Sequence, residues 1–145
     1  LGIKFCDKKK NIGKCKMEFD GYFEDTKQVV LVEAWAHIGK AKSAQKQKVL
    51  ADVLKLVFAK KCIENAEEKH VKCFYIFADN KAAEVLTSRN SWAAAAGNAF
   101  DIEALVFELP SHIQMDVIRA QKRQDLRNHE NTIKNPQTQK LMAIG

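Results

Sequence analysis

Asp20 and Glu33 are the residues of this 145-residue chain whose type and setting most invite chemistry, because each carboxylate stands inside a strand-like run. A connection centred on Thr26-Lys27 pairs Asp20 with Glu33, Tyr22 with Leu31, Glu18 with Trp35 and Lys16 with His37, all on one sheet face. Directly opposed side chains have Cβ atoms about 4.5–5.5 Å apart, where two like charges are unfavourable. Three arrangements relieve that repulsion: a divalent cation, a shared proton, or exposure of the face to water. Two carboxylates and a backbone carbonyl, with waters, make a hard-oxygen set suited to Mg2+ or Mn2+. His37 on the same face is a candidate base or ligand, and equally an ordinary polar residue near a strand end. Trp35 can fill the core against a helix or stack on a base or sugar.

Positioning the two acids takes a hairpin with a helix behind it, and the sequence pattern contains both. Residues 16–23 alternate, 24–28 are polar and suit a tight connection, and 29–38 are β-branched and apolar. A short strand is expected over 3–6 and a lysine-rich turn over 7–13. From Lys42 the period becomes helical, with Ser43 a cap and a helix expected to about Asn65. Val49, Leu50, Val53, Leu54, Val57 and Phe58 form its apolar stripe, and Gln45, Lys48, Asp52 and Lys55 its polar side. A buried strand over 72–78, a helix over 81–92 and a strand over 102–109 follow. Residues 92–97 read as a helix end stopped by Gly97, and Pro110 opens a last helix over 111–128. The expected order is β-β-β-α-β-α-β-α in a single domain over 1–145, with 130–145 an extended tail. Its fold class is α/β, a mixed central sheet with an antiparallel hairpin, flanked by helices. The chain begins at Leu1, so an upstream element is expected to be missing.

The net charge of +6 is uneven: residues 1–16 hold +5 and residues 40–61 hold +6, leaving −5 on the remainder. Lysine on either side of the hairpin suits a polyanion such as nucleic acid, or a solvated basic surface. No apolar run approaches the roughly 20 residues that span a bilayer, and no signal-like leader is present, so a soluble, cytoplasmic protein without a membrane partner is expected. Cys6, Cys15, Cys62 and Cys73 have neither disulfide nor zinc-finger spacing and read as small hydrophobes. The chain lacks G-x-G-x-x-G, Walker and G-x-S-x-G motifs, which sets aside nucleotide-dependent and serine-hydrolase chemistry. His70, His112 and His129 lie in unrelated segments, and Arg119, Lys122, Arg123 and Arg127 are diluted by Asp116, Asp125 and Glu130.

A first-strand Asp, a turn, an apolar strand ending in Glu and a following helix resemble the PD-(D/E)xK nuclease superfamily over about residues 14–80. The resemblance implies a restriction endonuclease-like core acting on DNA, with Asp20 and Glu33 as ligands of Mg2+ or Mn2+ and the Ala34 carbonyl as a third. In that family a lysine follows the Glu by two residues; here Glu33-Ala34-Trp35 puts an indole in its place. Lys48, Lys42 and Lys16 are the candidates to replace it, and Lys48 is favoured because its helix face also presents Asp52. Lys40, Lys42, Gln45 and Lys46 are the expected nucleic-acid contacts. The resemblance implies a Mg2+-dependent deoxyribonuclease, or a catalytically degenerate nucleic-acid-binding or assembly module; a homodimer is a further expectation.

Overall fold

The computed structural model describes residues 8–134. Its elements are β1 (Lys9–Ile12), β2 (Cys15–Glu18), β3 (Gly21–Glu24), β4 (Gln28–Trp35), α1 (Ser43–Ala66), β5 (His70–Phe77), α2 (Asn80–Thr87), α3 (Trp92–Ala99), β6 (Ile102–Val106) and α4 (Ser111–Lys134). Strands β1 and β2 form a separate antiparallel hairpin. The main sheet has the order β3-β4-β5-β6, antiparallel between β3 and β4 and parallel thereafter. The fold is therefore mixed α/β with an antiparallel pair, as the sequence pattern implied.

The β3–β4 turn forms at Thr26-Lys27 for a local reason. Asp25 Oδ1 accepts the Lys27 and Gln28 N–H groups at 2.8 Å each, an Asx turn, and the Asp25 N–H reaches the Gln28 carbonyl at 3.0 Å. This centre pairs Tyr22 with Leu31 and Gly21 with Val32, the expected register. Carried one residue further, it brings Asp20 beside Glu33.

The alternating run over 16–23 is not one strand. In a continuous strand Phe19 and Tyr22 would point to opposite faces. Instead both are buried, with ring centroids 6.2 Å apart, which requires the chain to break at Phe19-Asp20. Segment β2 then pairs with β1, so Lys16 lies opposite Asn11 and Glu18 opposite Lys9, and the expected Lys16–His37 and Glu18–Trp35 pairs do not form. The lysine-rich segment expected to be a turn is largely strand β1, and its turn falls at Gly13, whose φ of +58° suits glycine. The strand expected over 3–6 lies outside the described residues.

Helix α1 starts within a residue of the expected place, with Lys42 and not Ser43 at the N-cap, but its buried stripe is Val49, Val53, Leu56, Ala59 and Ile63, while Leu54 and Phe58 remain exposed. Its N-terminus is closed by Gln45, whose side-chain oxygen accepts the Lys42 N–H at 2.8 Å. The helix expected over 81–92 is two helices. Asp79 caps α2 and Ser91 caps α3, so Trp92 opens a helix and Gly97 lies within it. The sheet face beneath α1 carries Val29, Leu31, Val71, Cys73, Tyr75 and Phe77, all at most 1% exposed.

The chain divides into two units, Leu1–Glu108 and Leu109–Gly145. Within the second, α4 begins just after Pro110, whose carbonyl accepts the Ile113 and Gln114 N–H groups. This helix continues to Lys134, beyond the expected end at Asn128, and replaces the first part of the expected tail. Residues 135–145 of that tail lie outside the described residues. Among the described residues no helix is long and apolar enough to cross a membrane.

Candidate functional site

The β3–β4 hairpin and α1 together build a cluster of charged side chains at one end of the buried layer. Asp20 sits at the break before β3, exposed, with Oδ2 accepting the Ala34 N–H at 2.8 Å. This bond ties the Asp20 carboxylate to the residue after Glu33. Glu33 alternates in phase with Val29 and Leu31, so its side chain points under α1 and is only 4% exposed. Exposure to water can therefore relieve Asp20 but not Glu33.

A lysine answers the buried charge. Lys55 Nζ lies 2.6 Å from Glu33 Oε1, an ion pair by distance, while its hydrogen bond runs to the Glu18 carbonyl at 2.9 Å. The same ammonium lies 5.4 Å from the centroid of the Phe19 ring. Lys55 therefore joins the β2–β3 break to the acid on β4. Burial raises the Glu33 carboxyl above its ordinary range; Lys55 opposes that shift, and the nearby Asp20 and Asp52 charges add to it.

A second polar pair stands beside the first. Tyr75, opposite Glu33 in the parallel β4–β5 register, donates to Asp52 Oδ2 at 3.0 Å. Burial raises the Tyr75 phenol well above its ordinary range, and the Asp52 charge reinforces the effect, so Tyr75 is held as a neutral donor. Asp52 also pairs with Lys48 at 2.8 Å. Lys48, favoured from the sequence as the replacement lysine, thus contacts Asp52, and the ammonium at Glu33 belongs to Lys55. Lys48, Asp52, Lys55 and Ala59 follow one helical ridge beside the buried stripe. That spacing was a signal for Lys55.

The position two residues after Glu33 is filled by stacked rings. Trp35 lies flat on His37, with centroids 4.4 Å apart and planes within 5°, and edge-on to Phe77 at 6.4 Å. His37 is buried at 8% exposure and belongs to this stack. Trp35 packs against the core.

Among the described residues no group of three or more His, Cys, Asp or Glu side chains converges on a metal position. Asp20 and Glu33 are nevertheless the kind of sparse oxygen pair that magnesium accepts when waters and substrate phosphates complete its shell. Asp20 Oδ2 already accepts the Ala34 N–H and Glu33 Oε1 already meets Lys55, which leaves one oxygen of each carboxylate outside those contacts. Cys15, Cys62 and Cys73 are free thiols, and burial pushes the Cys73 thiol up to about 12, far from metal-ligating or nucleophilic character. Cys6 lies outside the described residues.

The expected nucleic-acid contacts separate by role. Gln45 uses its side-chain oxygen to cap α1, whereas Lys40 and Lys46 line an open cavity of about 430 Å³ between the start of α1 and helices α2 and α3. Lys42 is the residue at the N-cap of α1. Comparison of the chain with protein-family models, curated proteins and solved structures finds no match.

Proposed function

We propose that the protein acts on DNA as a metal-dependent phosphodiesterase of PD-(D/E)xK type, with Asp20 and Glu33 as acids and Lys55 as the ammonium that replaces the missing strand lysine. The observation carrying this reading is the convergence of Asp20, Glu33 and a helix-borne lysine at one end of the β3–β4 hairpin. Mg2+ or Mn2+, when bound, supplies polarisation of a phosphoryl oxygen and acidification of a bound water. Asp20 and Glu33 would hold it. Lys55 opposes the upward shift that burial imposes on the Glu33 carboxyl and would place positive charge where negative charge develops in phosphoryl transfer. Lys48 acts one step away, through Asp52 and Tyr75, by keeping the neighbouring face of α1 ordered.

A second reading rests on the same contact. Lys55 already neutralises Glu33, so the pair can persist as a structural element of a nucleic-acid-binding or assembly module that hydrolyses nothing.

Calorimetric titration with Mn2+ and a plasmid-nicking assay separate the two. The nuclease reading expects Mn2+ binding to the parent, its loss in Asp20→Asn, where the exposed side chain makes misfolding a minor concern, and loss of nicking in Lys55→Ala with the fold intact by circular dichroism. A parent that binds DNA but no Mn2+ sinks the nuclease reading in favour of the degenerate one. Nicking unchanged in Lys55→Ala but abolished in Lys48→Ala returns the role to Lys48.

A further inference from the structure

The cavity between α1, α2 and α3 lies apart from the acids, and its walls are built by specific contacts. Asp79 Oδ2 accepts the N–H groups of Gly39, Lys81 and Ala82 at 3.0, 3.1 and 3.2 Å, which ties the loop after β4 to the start of α2. Gly39 has a φ of +92°, a conformation costly for any residue with a Cβ. This junction sets Lys40 and Lys81 on the same cavity. Ser91 fixes the other wall: its hydroxyl donates to the Val85 carbonyl at 3.1 Å and accepts the Ala94 N–H, leaving Trp92 at the first position of α3.

Trp92 is 72% exposed at the cavity rim, an unusual place for an indole that fills no core. Around it stand Lys40, Lys46 and Lys81, none of which has an ion-pair partner among the described residues, with Glu84 the single acid in the lining. The first turn of α1 carries no acid, so the positive end of that helix adds to the lysine field. Leu50 and Val85 line the same cavity with apolar surface. An exposed aromatic plane beside several unpaired ammonium groups matches a base and its flanking phosphates.

We propose that this cavity is a single-stranded nucleic-acid subsite, with one base stacked on Trp92 and successive phosphates on Lys40, Lys46 and Lys81. Its volume suits about one nucleotide unit, and its three lysines call for more phosphates than one nucleoside monophosphate carries. The proposal rests on the nucleic-acid part of the function proposed above and is independent of the metal and of hydrolysis. It adds a strand preference: a segment with unpaired bases binds here, and a fully paired duplex cannot present a base to Trp92.

Fluorescence anisotropy of a labelled oligothymidylate, without divalent cation, provides the test. The parent is expected to bind with a log–log salt slope of about −2, as three phosphate contacts on a single strand give. Trp92→Ala is expected to weaken binding roughly tenfold or more, and Trp92→Phe to restore most of it. Lys46→Glu and Lys81→Glu should each weaken binding and flatten the slope. Thymidine monophosphate should compete only weakly; competition as strong as that of the oligonucleotide would replace the strand with a free nucleotide and overturn the proposal. Unchanged oligonucleotide binding in Trp92→Ala, or duplex bound by the parent while oligothymidylate is not, also overturns it. Both results leave the Asp20–Glu33 reading standing. Loss of Mn2+ binding or nicking with oligonucleotide binding intact removes that reading instead.

Discussion

The first unit uses lysine in opposite ways at two of its charged regions. At the hairpin end, Lys55 is drawn against the sheet and held between the Glu33 carboxylate and the Glu18 carbonyl, and Asp52 is shared by Tyr75 and Lys48. At the cavity end, Lys40, Lys46 and Lys81 have no ion-pair partner among the described residues, and a tryptophan stands exposed among them. Charge that is paired beneath a helix organises the fold, because removing one partner strands the other in low dielectric. Charge left unpaired at the surface contributes little to stability and remains available to a ligand. The contrast sets lysines held in internal pairs in one region against lysines left open to solvent in the other.

The largest effect should come from breaking the buried pair. Lys55→Ala leaves Glu33 without its cation and should lower the unfolding free energy by about 3 kcal/mol, read from denaturant titration; a loss below about 1 kcal/mol would place Glu33 in contact with water. Asp79→Ala removes the acceptor of three backbone N–H groups and the cap of α2, and should cost roughly 1–2 kcal/mol. The same variant should also weaken oligonucleotide binding, because Lys40 is no longer held beside Lys81. Tyr75→Phe, which deletes one hydrogen bond to Asp52, should cost about 1 kcal/mol. Lys48→Ala breaks a pair whose lysine is largely exposed and should cost about 0.5 kcal/mol or less. If Lys48→Ala proved as damaging as Lys55→Ala, the division between ordering and solvated lysines on α1 would collapse.

Acid titration sharpens the same comparison. Burial raises the folded Glu33 carboxyl above the ordinary 4.5, so the unfolded chain releases that proton first. Its contribution is present below about pH 4.5 and is lost as the pH rises from there through the folded value. Glu24 behaves oppositely: hydrogen bonding to Lys69 holds its carboxyl below 4.5, so its contribution is present above that pH and lost as the pH falls through the folded value. In unfolding midpoints measured against pH, Glu24→Gln should flatten the limb below pH 4.5 and Glu33→Gln the limb just above it.

Much of this architecture was legible in the chain because its causes are local. Asp25 makes an Asx turn from its own side chain, and the β-branched run over 29–35 extends from that turn, so the register beside Glu33 could be read from the pattern. The α1 start was legible from the change of period at Lys42. The break at Phe19-Asp20 was hidden, because alternation alone permits one long strand and only packing of Phe19 and Tyr22 into the same core forbids it. Ser91 was similarly masked by the alanine run after Trp92, which continues a helical pattern across what is a cap.

Sequence alone determined that Asp20 and Glu33 flank the open end of a tight hairpin, that a lysine-rich helix follows, and that an indole stands two residues after Glu33. Tertiary structure decided which ammonium meets the buried acid. Lys48, Asp52 and Lys55 share one ridge and differ only in distance along it, and the docking of α1 over β4 and β5 puts Lys55 at Glu33 and Lys48 one step away. The cavity was likewise a tertiary outcome. Lys40, Lys81 and Trp92 are far apart in the chain, and they line one space because Asp79 ties the loop after β4 to α2 and Ser91 turns the chain into α3.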